Sequence, residues 1–238
     1  MEYKIEEVKV SGNSCVNCGQ QVNVKRIDGH YIMHEVEHVL HFERGILYTV
    51  RELLVRPGEN VRYFISEDRS RLVKPVIFIV ITSLVYSLIT HFFHLEQGYV
   101  NYDEKKESAT GLIFKWVQDH YGYGNIIMGI FIALWIKVFF KKYAYNFFEI
   151  LILLCVAMGI AMLIFAISAI IQGLTQVDLT QIASVVGIGY CSWAIGQFFD
   201  KKRIVNYVKA LAAYMLGMIT FTAAAIMLGA LIELIIKH

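Results

Sequence analysis

Residues Phe147 to Gln172 read FFEILILLCVAMGIAMLIFAISAIIQ, 26 positions with a single charge, Glu149, at the third. A helix of about 20 mostly apolar residues crosses the roughly 30 Å hydrocarbon layer of a bilayer. In that layer every backbone N–H and C=O must be satisfied within the segment or by its neighbours, which selects an α-helix. This one stretch therefore sets the fold class: an all-α membrane protein.

Working outward, four further segments have the length and character to span: Pro75–Phe93, Gly124–Phe140, Ile182–Phe199 and Val205–Ile236. The second carries Lys137 near one end, where its aliphatic stem lets the ammonium reach the interface. The whole chain has 238 residues, 57% hydrophobic, and a mean hydropathy of +0.53, values of a polytopic membrane protein. Its formal net charge of +2 gives no global basic field, so no nucleic-acid partner is expected. Residues 1–24 hold no apolar core of a cleavable signal, so targeting is expected to come from the first span.

Basic residues fix the expected orientation. Arg62, Arg69, Arg71 and Lys74 precede the first span. Lys141 and Lys142 follow the second, and Lys201, Lys202 and Arg203 follow the fourth, whereas Gly173–Gln181 has no Lys or Arg. The N-terminus is expected on the cytoplasmic side of a bacterial inner membrane and the C-terminus outside. The outer loop, 95–123, places Leu112, Ile113, Trp116 and Val117 at helical spacing. That pattern suits a short helix lying in the outer interface or capping the bundle.

Between the polar head, residues 1–29, and the bundle, residues 75–238, lies a joint over residues 30–74. A helix is expected from about Asp28 to Phe42. A second covers Ile46–Val55, with Ile46, Leu47, Val50, Leu53 and Leu54 on one face. Pro57-Gly58 is expected to turn the chain, and a third helix runs Glu59–Ile65. These helices are too short and polar to span and suit the headgroup boundary or the underside of the bundle. Arg56, Arg62, Arg69, Arg71 and Lys74 are expected to anchor at the interface. Residues 1–74 hold eleven Lys or Arg against eleven Asp or Glu, so they make no net basic patch.

The chemistry-bearing residues lie at the N-terminal end. Val8–Val10 and Val22–Val24 alternate like short strands around the turn-like S-G-N-S and C-V-N-C-G-Q. Cys15 and Cys18 offer two thiolates to one Zn²⁺, while Cys155 and Cys191 sit in apolar runs as packing residues. His30, His34, His38 and His41 share one helical face. Cys15, Cys18, His34 and His38 give C-x2-C-x15-H-x3-H, near the spacing of structural Cys2His2 sites; His30 with His34 is the alternative pair. His34-Glu35-Val36-Glu37-His38 also matches H-E-x-x-H, in which two histidines bind zinc and the glutamate activates water. Two readings stand side by side: a closed structural zinc site, or a membrane zinc metallopeptidase with Glu35 catalytic. A third leaves the residues without metal.

In the spans, Glu149, Asp178 and Glu233 fall near ends or in a loop. Ion-coupled transporters place charges near mid-depth, so the pattern disfavours one. Small residues recur four apart: Ala213 and Gly217, Ala225 and Gly229, Ser192 and Gly196, Ala183 and Gly187, Ala157 and Ala161. Such spacing lets helices approach closely, within one chain or between copies in a homo-oligomer.

The combination of Cys15, Cys18, Gly19, His34, Glu35, His38 and His41 with Gly45, Leu47, Thr49, Leu53, Leu54, Arg56, Pro57, Gly58, Tyr63, Arg69, Pro75 and Phe78 resembles an uncharacterised bacterial family. That family has a zinc-ribbon-like N-terminus and a membrane domain of unknown function. The resemblance covers roughly residues 15–90. It implies a four-cysteine ribbon, but Met1–Ser14 contain no cysteine, so histidines replace one pair or the metal site is lost. The resemblance implies an architecture and no reaction. The expected protein is non-enzymatic: a partner-sensing cytoplasmic head, coupled to a five-helix bundle that self-assembles or alters permeability, as in a bacterial defence or stress module. A zinc metallopeptidase and a lipid or small-molecule carrier are the alternatives.

Overall fold

A computed structural model describes residues 10–11, 14–15, 46–95 and 108–236. Near the N-terminus two short strands, β1 (Val10–Ser11) and β2 (Ser14–Cys15), pair antiparallel with Val10 opposite Cys15. Residues 12–13 of the expected S-G-N-S turn and the expected strand at Val22–Val24 lie outside the described residues. Eight helices come next among the described residues: α1 (Ile46–Val55), α2 (Pro57–Ser66), α3 (Pro75–Phe92), α4 (Ala109–Asp119), α5 (Tyr121–Phe139), α6 (Phe147–Thr175), α7 (Thr180–Asp200) and α8 (Ile204–Ile236).

Five of these, α3 and α5 to α8, are long and apolar enough to cross a membrane. Each matches an expected span, and their ends differ from expectation by a few residues. The second begins at Tyr121 rather than Gly124, because the chain turns at His120 from α4 directly into it. The Pro57-Gly58 turn is corrected more substantially. Pro57 is the first residue of α2, and the break is confined to Arg56. Proline at a first helical position loses no intrahelical donor, because that N–H has no partner in any helix.

With five such helices in succession, the two ends of the bundle carry different sets of connections. One end bears α1, α2, the α5–α6 link and the α7–α8 link. The other bears α4 and the ends of α3 and α8. In the bundle α6 is central, touching α1, α2, α3, α5 and α7. In its most apolar window 72% of residues are buried, against 11% in α8, so α8 is the span most open to lipid. Glu149, the one charge in α6, is buried yet satisfied. Its carboxylate accepts from Asn146 N (2.7 Å) while Asn146 Oδ1 accepts from Glu149 N (2.8 Å), a reciprocal capping box. The negative carboxylate there also complements the positive end of the helix dipole. Lys137, near the end of α5, donates to the Tyr145 carbonyl just beyond the spans.

Small residues do their packing within the chain. Ala213 and Ala225 are buried, Ser192 bonds back to the Ile188 carbonyl, and Gly196 and Gly229 lie against Tyr207 and Thr110. Gly217 on α8 is a case between two spans in which the nearest facing atom is backbone. A Cβ there would stand 2.5 Å from Ile132 Cα on α5, and backbone cannot swing aside as a side chain can. Gly217→Ala should force α5 and α8 apart at about 1–3 kcal/mol, measured as a lower melting temperature in detergent. Gly189→Ala, where the new methyl meets nothing within 4 Å, should melt as the wild type does. Equal melting of both variants would contradict the packing.

Candidate functional site

The feature that distinguishes this bundle is the meeting of three helix ends at the end that carries α1 and α2. A helix leaves its first N–H groups and last C=O groups without intrahelical partners. Where water is scarce each such group costs free energy unless something else bonds to it. Here the ends supply one another.

The C-terminus of α1 comes first. Its last carbonyls include those of Glu52 and Leu53. Asn60 Nδ2, one turn into α2, reaches back to Glu52 O (2.9 Å) and Arg56 O (3.0 Å), sealing the break between the helices. The Tyr190 hydroxyl on α7 donates to Leu53 O (3.0 Å), tying α1 to the bundle. Thr49 Oγ1 accepts from Val73 N (3.0 Å), and Arg71 pairs with Glu52 (3.1 Å) while lying 4.8 Å over the Tyr63 ring. The segment leading to α3 is thereby fastened to α1. Beneath these polar bonds Leu53, Val61 and Phe64 are fully or almost fully buried against the bundle.

The second meeting is between the start of α2 and the end of α7. Gly58 N donates to Gln197 Oε1 at 2.7 Å, so an orphan donor of α2 is satisfied by a side chain of α7. Arg62 Nη1 donates to Gln197 O (2.9 Å) and Phe198 O (2.7 Å), so two late carbonyls of α7 are satisfied by a side chain of α2. The positive N-terminal end of α2 and the guanidinium both face the negative C-terminal end of α7, a favourable dipole arrangement. The backbones touch: a Cβ on Gly58 would lie 2.3 Å from Phe198 N. Only glycine fits there. At the rim, Lys201 bonds to Glu59, and Arg56 stands 4.0 Å from the same carboxylate. The Lys201 hydrogen bond holds the Glu59 carboxyl below the usual carboxylate range.

The residues expected to act as interfacial anchors are thus divided. Arg62 and Arg71 are engaged by the protein itself. Arg56 is mostly exposed, and Arg69 and Lys74 are half-buried. Of the expected metal ligands, Cys15 lies in β2, while Cys18, His34 and His38 lie outside the described residues, as do Glu35, His30 and His41. Among the described residues no three His, Cys, Asp or Glu side chains converge on a metal position. Gln197 and Tyr190 were not legible as partners of the joint, since they stand 139 and 137 residues away from Gly58 and Leu53 in sequence.

Fold and site together define an all-helical membrane protein whose short N-terminal helices are keyed into the end of its bundle. Residues 43–87 match a family described as a protein of unknown function (DUF3667). That interval takes in α1, α2 and most of α3, so the family's pattern coincides with the joint and includes Gly58 and Arg62. It stops short of the cysteine and histidine motifs. No curated protein and no solved structure matches the chain.

Two changes at this junction have measurable consequences. Arg62→Ala leaves two α7 carbonyls unbonded, and charged hydrogen bonds contribute about 1.5–3 kcal/mol each, so α1–α2 should become sensitive to limited proteolysis while the spans stay protected. Arg62→Lys should rescue only in part, because both bonds leave one Nη1 and a lysine ammonium ends one atom short of it. The Glu59–Lys201 pair contributes only above the unfolded carboxylate pKa and is lost as pH falls through the lowered folded value. Proteolysis of the wild-type joint should therefore rise below about pH 4, and Glu59→Gln should remove that dependence.

Proposed function

We propose that the chain is a non-enzymatic membrane protein in which the N-terminal residues sense or bind a cytoplasmic partner and the joint passes that event to the five-helix bundle. The observation that carries this reading is the backbone contact of Gly58 with Phe198, flanked by the Gly58–Gln197 and Arg62–α7 hydrogen bonds. A displacement of α2 cannot be absorbed by a loop there; it must move or release the end of α7. The bundle is the effector, acting by self-assembly or by altering permeability, in the manner of a membrane subunit of a defence or stress module. The basic residues beside α1, α2 and the α5–α6 and α7–α8 links support a reading in which that end faces the cytoplasm across a bacterial inner membrane. The absence of mid-depth charge from the spans accords with an effector rather than an ion-coupled carrier.

Overexpression of wild type should raise uptake of a membrane-impermeant dye several-fold, and Gly58→Leu, though inserted at the same level, should not. A protein that runs as a strict monomer in detergent and leaves permeability unchanged would overturn the reading.

We also propose that Cys15, Cys18, His34 and His38 hold one structural Zn²⁺ in the N-terminal region. Metal analysis of the purified protein should find about one zinc per chain, lost on both Cys15→Ser and His38→Ala. Zinc lost only with the histidine, together with loss of function in Glu35→Gln, would favour the peptidase instead.

A further inference from the structure

At the end of the bundle opposite the joint, α4 lies across α5 and α8 and encloses an open cavity of about 500 Å³. Its walls are apolar throughout: Leu112 and Trp116 from α4, Ile127 and Phe131 from α5, Ala224 and Leu228 from α8. Water has no hydrogen-bonding partner in such a space, and a cavity of this kind is not held open by solvent.

The walls cannot collapse to remove it, because α4 is pinned at both ends. At its start Ala109 N donates to Glu233 Oε1 (2.9 Å), and Thr110 sits so close to Gly229 that a Cβ there would come 2.2 Å from Thr110 Oγ1. At its end Val117 fills the space over Gly124, where a Cβ would stand 2.8 Å away. Between these pins the apolar face of α4 is left uncovered, with Leu112 67% and Trp116 45% exposed, and Leu228 on the facing wall 53% exposed.

We infer that this groove binds one acyl chain of a bilayer phospholipid. Three features select that occupant. The lining residues Ile127 and Leu228 are themselves exposed, as are the apolar neighbours Ile130 and Leu134 on α5 and Met227 and Leu231 on α8, a surface suited to bilayer chains. Along α8 the lining runs from Phe221 to Ile232, eleven residues at 1.5 Å each, about 16 Å. That is close to one leaflet of a roughly 30 Å core, the reach of a single chain. Beside the groove, Lys115 is exposed on α4 one turn from Leu112 and has no ion pair among the described residues. A cation on that helix complements a headgroup phosphate. Lipid tails are as apolar as the groove, so what holds the chain is dispersion contact with concave, fixed walls rather than transfer from water.

The test is retention of phosphatidylcholine by full-length protein, reconstituted with that lipid and then washed in detergent, counted by native mass spectrometry. Wild type should keep one phospholipid per chain. Ala224→Phe, which fills the groove, should keep at least five-fold less at an unchanged melting temperature, and Val185→Phe, on exposed lipid-facing surface elsewhere, should keep as much as wild type. Equal retention by Ala224→Phe and wild type would overturn the site. So would a dimer that retains no lipid, because a second copy would then fill the groove. A second measurement does not depend on the filled variant folding. In a protein with Trp135→Phe and Trp193→Phe, Trp116 fluorescence in vesicles titrated with chain-brominated phosphatidylcholine should be quenched ahead of the bulk mole fraction. Quenching that tracks the bulk fraction would overturn the site.

Discussion

The constraint on which the rest of this structure depends is that helix ends at a membrane boundary need partners for backbone groups the helix itself cannot bond. The chain meets it by exchange. The start of α2 gives Gly58 N to Gln197, and the end of α7 gives its Gln197 and Phe198 carbonyls to Arg62. The end of α1 gives carbonyls to Asn60 and Tyr190. The neutral bonds contribute only about 0.5–1.5 kcal/mol net each, and the charged bonds of Arg62 about 1.5–3 kcal/mol. Their weight lies in the penalty for breaking them, since an unpaired group in that setting costs more than the bond returned.

The exchange also explains why α1 and α2 are fixed in place rather than floating on the headgroups. Their apolar residues Leu53, Val61 and Phe64 are sunk against α6 and α7, while the polar edge is bonded to α7. Docking is thus both hydrophobic and directional. The family pattern at residues 43–87 spans the docked helices and the start of α3, the part of the molecule where these two kinds of interaction coincide. At the other end of the bundle the same logic runs differently. The N-terminus of α4 is bonded by Glu233, but Leu112 and Trp116 on its apolar face stay exposed.

Most of the fold was legible in the sequence because hydropathy over 20 or so residues leaves a helical span little alternative. Phe147–Gln172 needed no partner to be recognised, and α1 was legible in its extent but not its buried face, since Leu47 and Leu54 are exposed while Thr49 and Leu53 are buried. The joint was legible only in part. R-P-G looked like a turn because proline and glycine so often make one, whereas Pro57 opens α2 and Gly58 is needed for a backbone contact with α7. The arginines read as a uniform anchoring series, yet Arg62 is committed to the end of a helix 135 residues away. Local pattern carries no information about such a pairing. The small residues of α7 and α8 marked close approach correctly in kind, while which helix they approach was settled by tertiary packing. The groove beneath α4 was not legible at all, since it arises from three elements meeting.

The most direct measurement is cross-linking in native membranes, with a short bis-methanethiosulfonate, between cysteines placed at Glu59 and Lys201, whose side chains bond across the joint, in a background carrying Cys15→Ser and Cys18→Ser. The buried Cys155 and Cys191 can stay. The reagent spans the gap that the two long side chains fill, wider than a direct disulfide bridges, and should link the pair within one chain nearly completely, whereas a cysteine moved from Glu59 to the exposed Glu67 should not link to Lys201. Failure of the first pair to link, or equal linking of both, would contradict the docking of α2 on the end of α7.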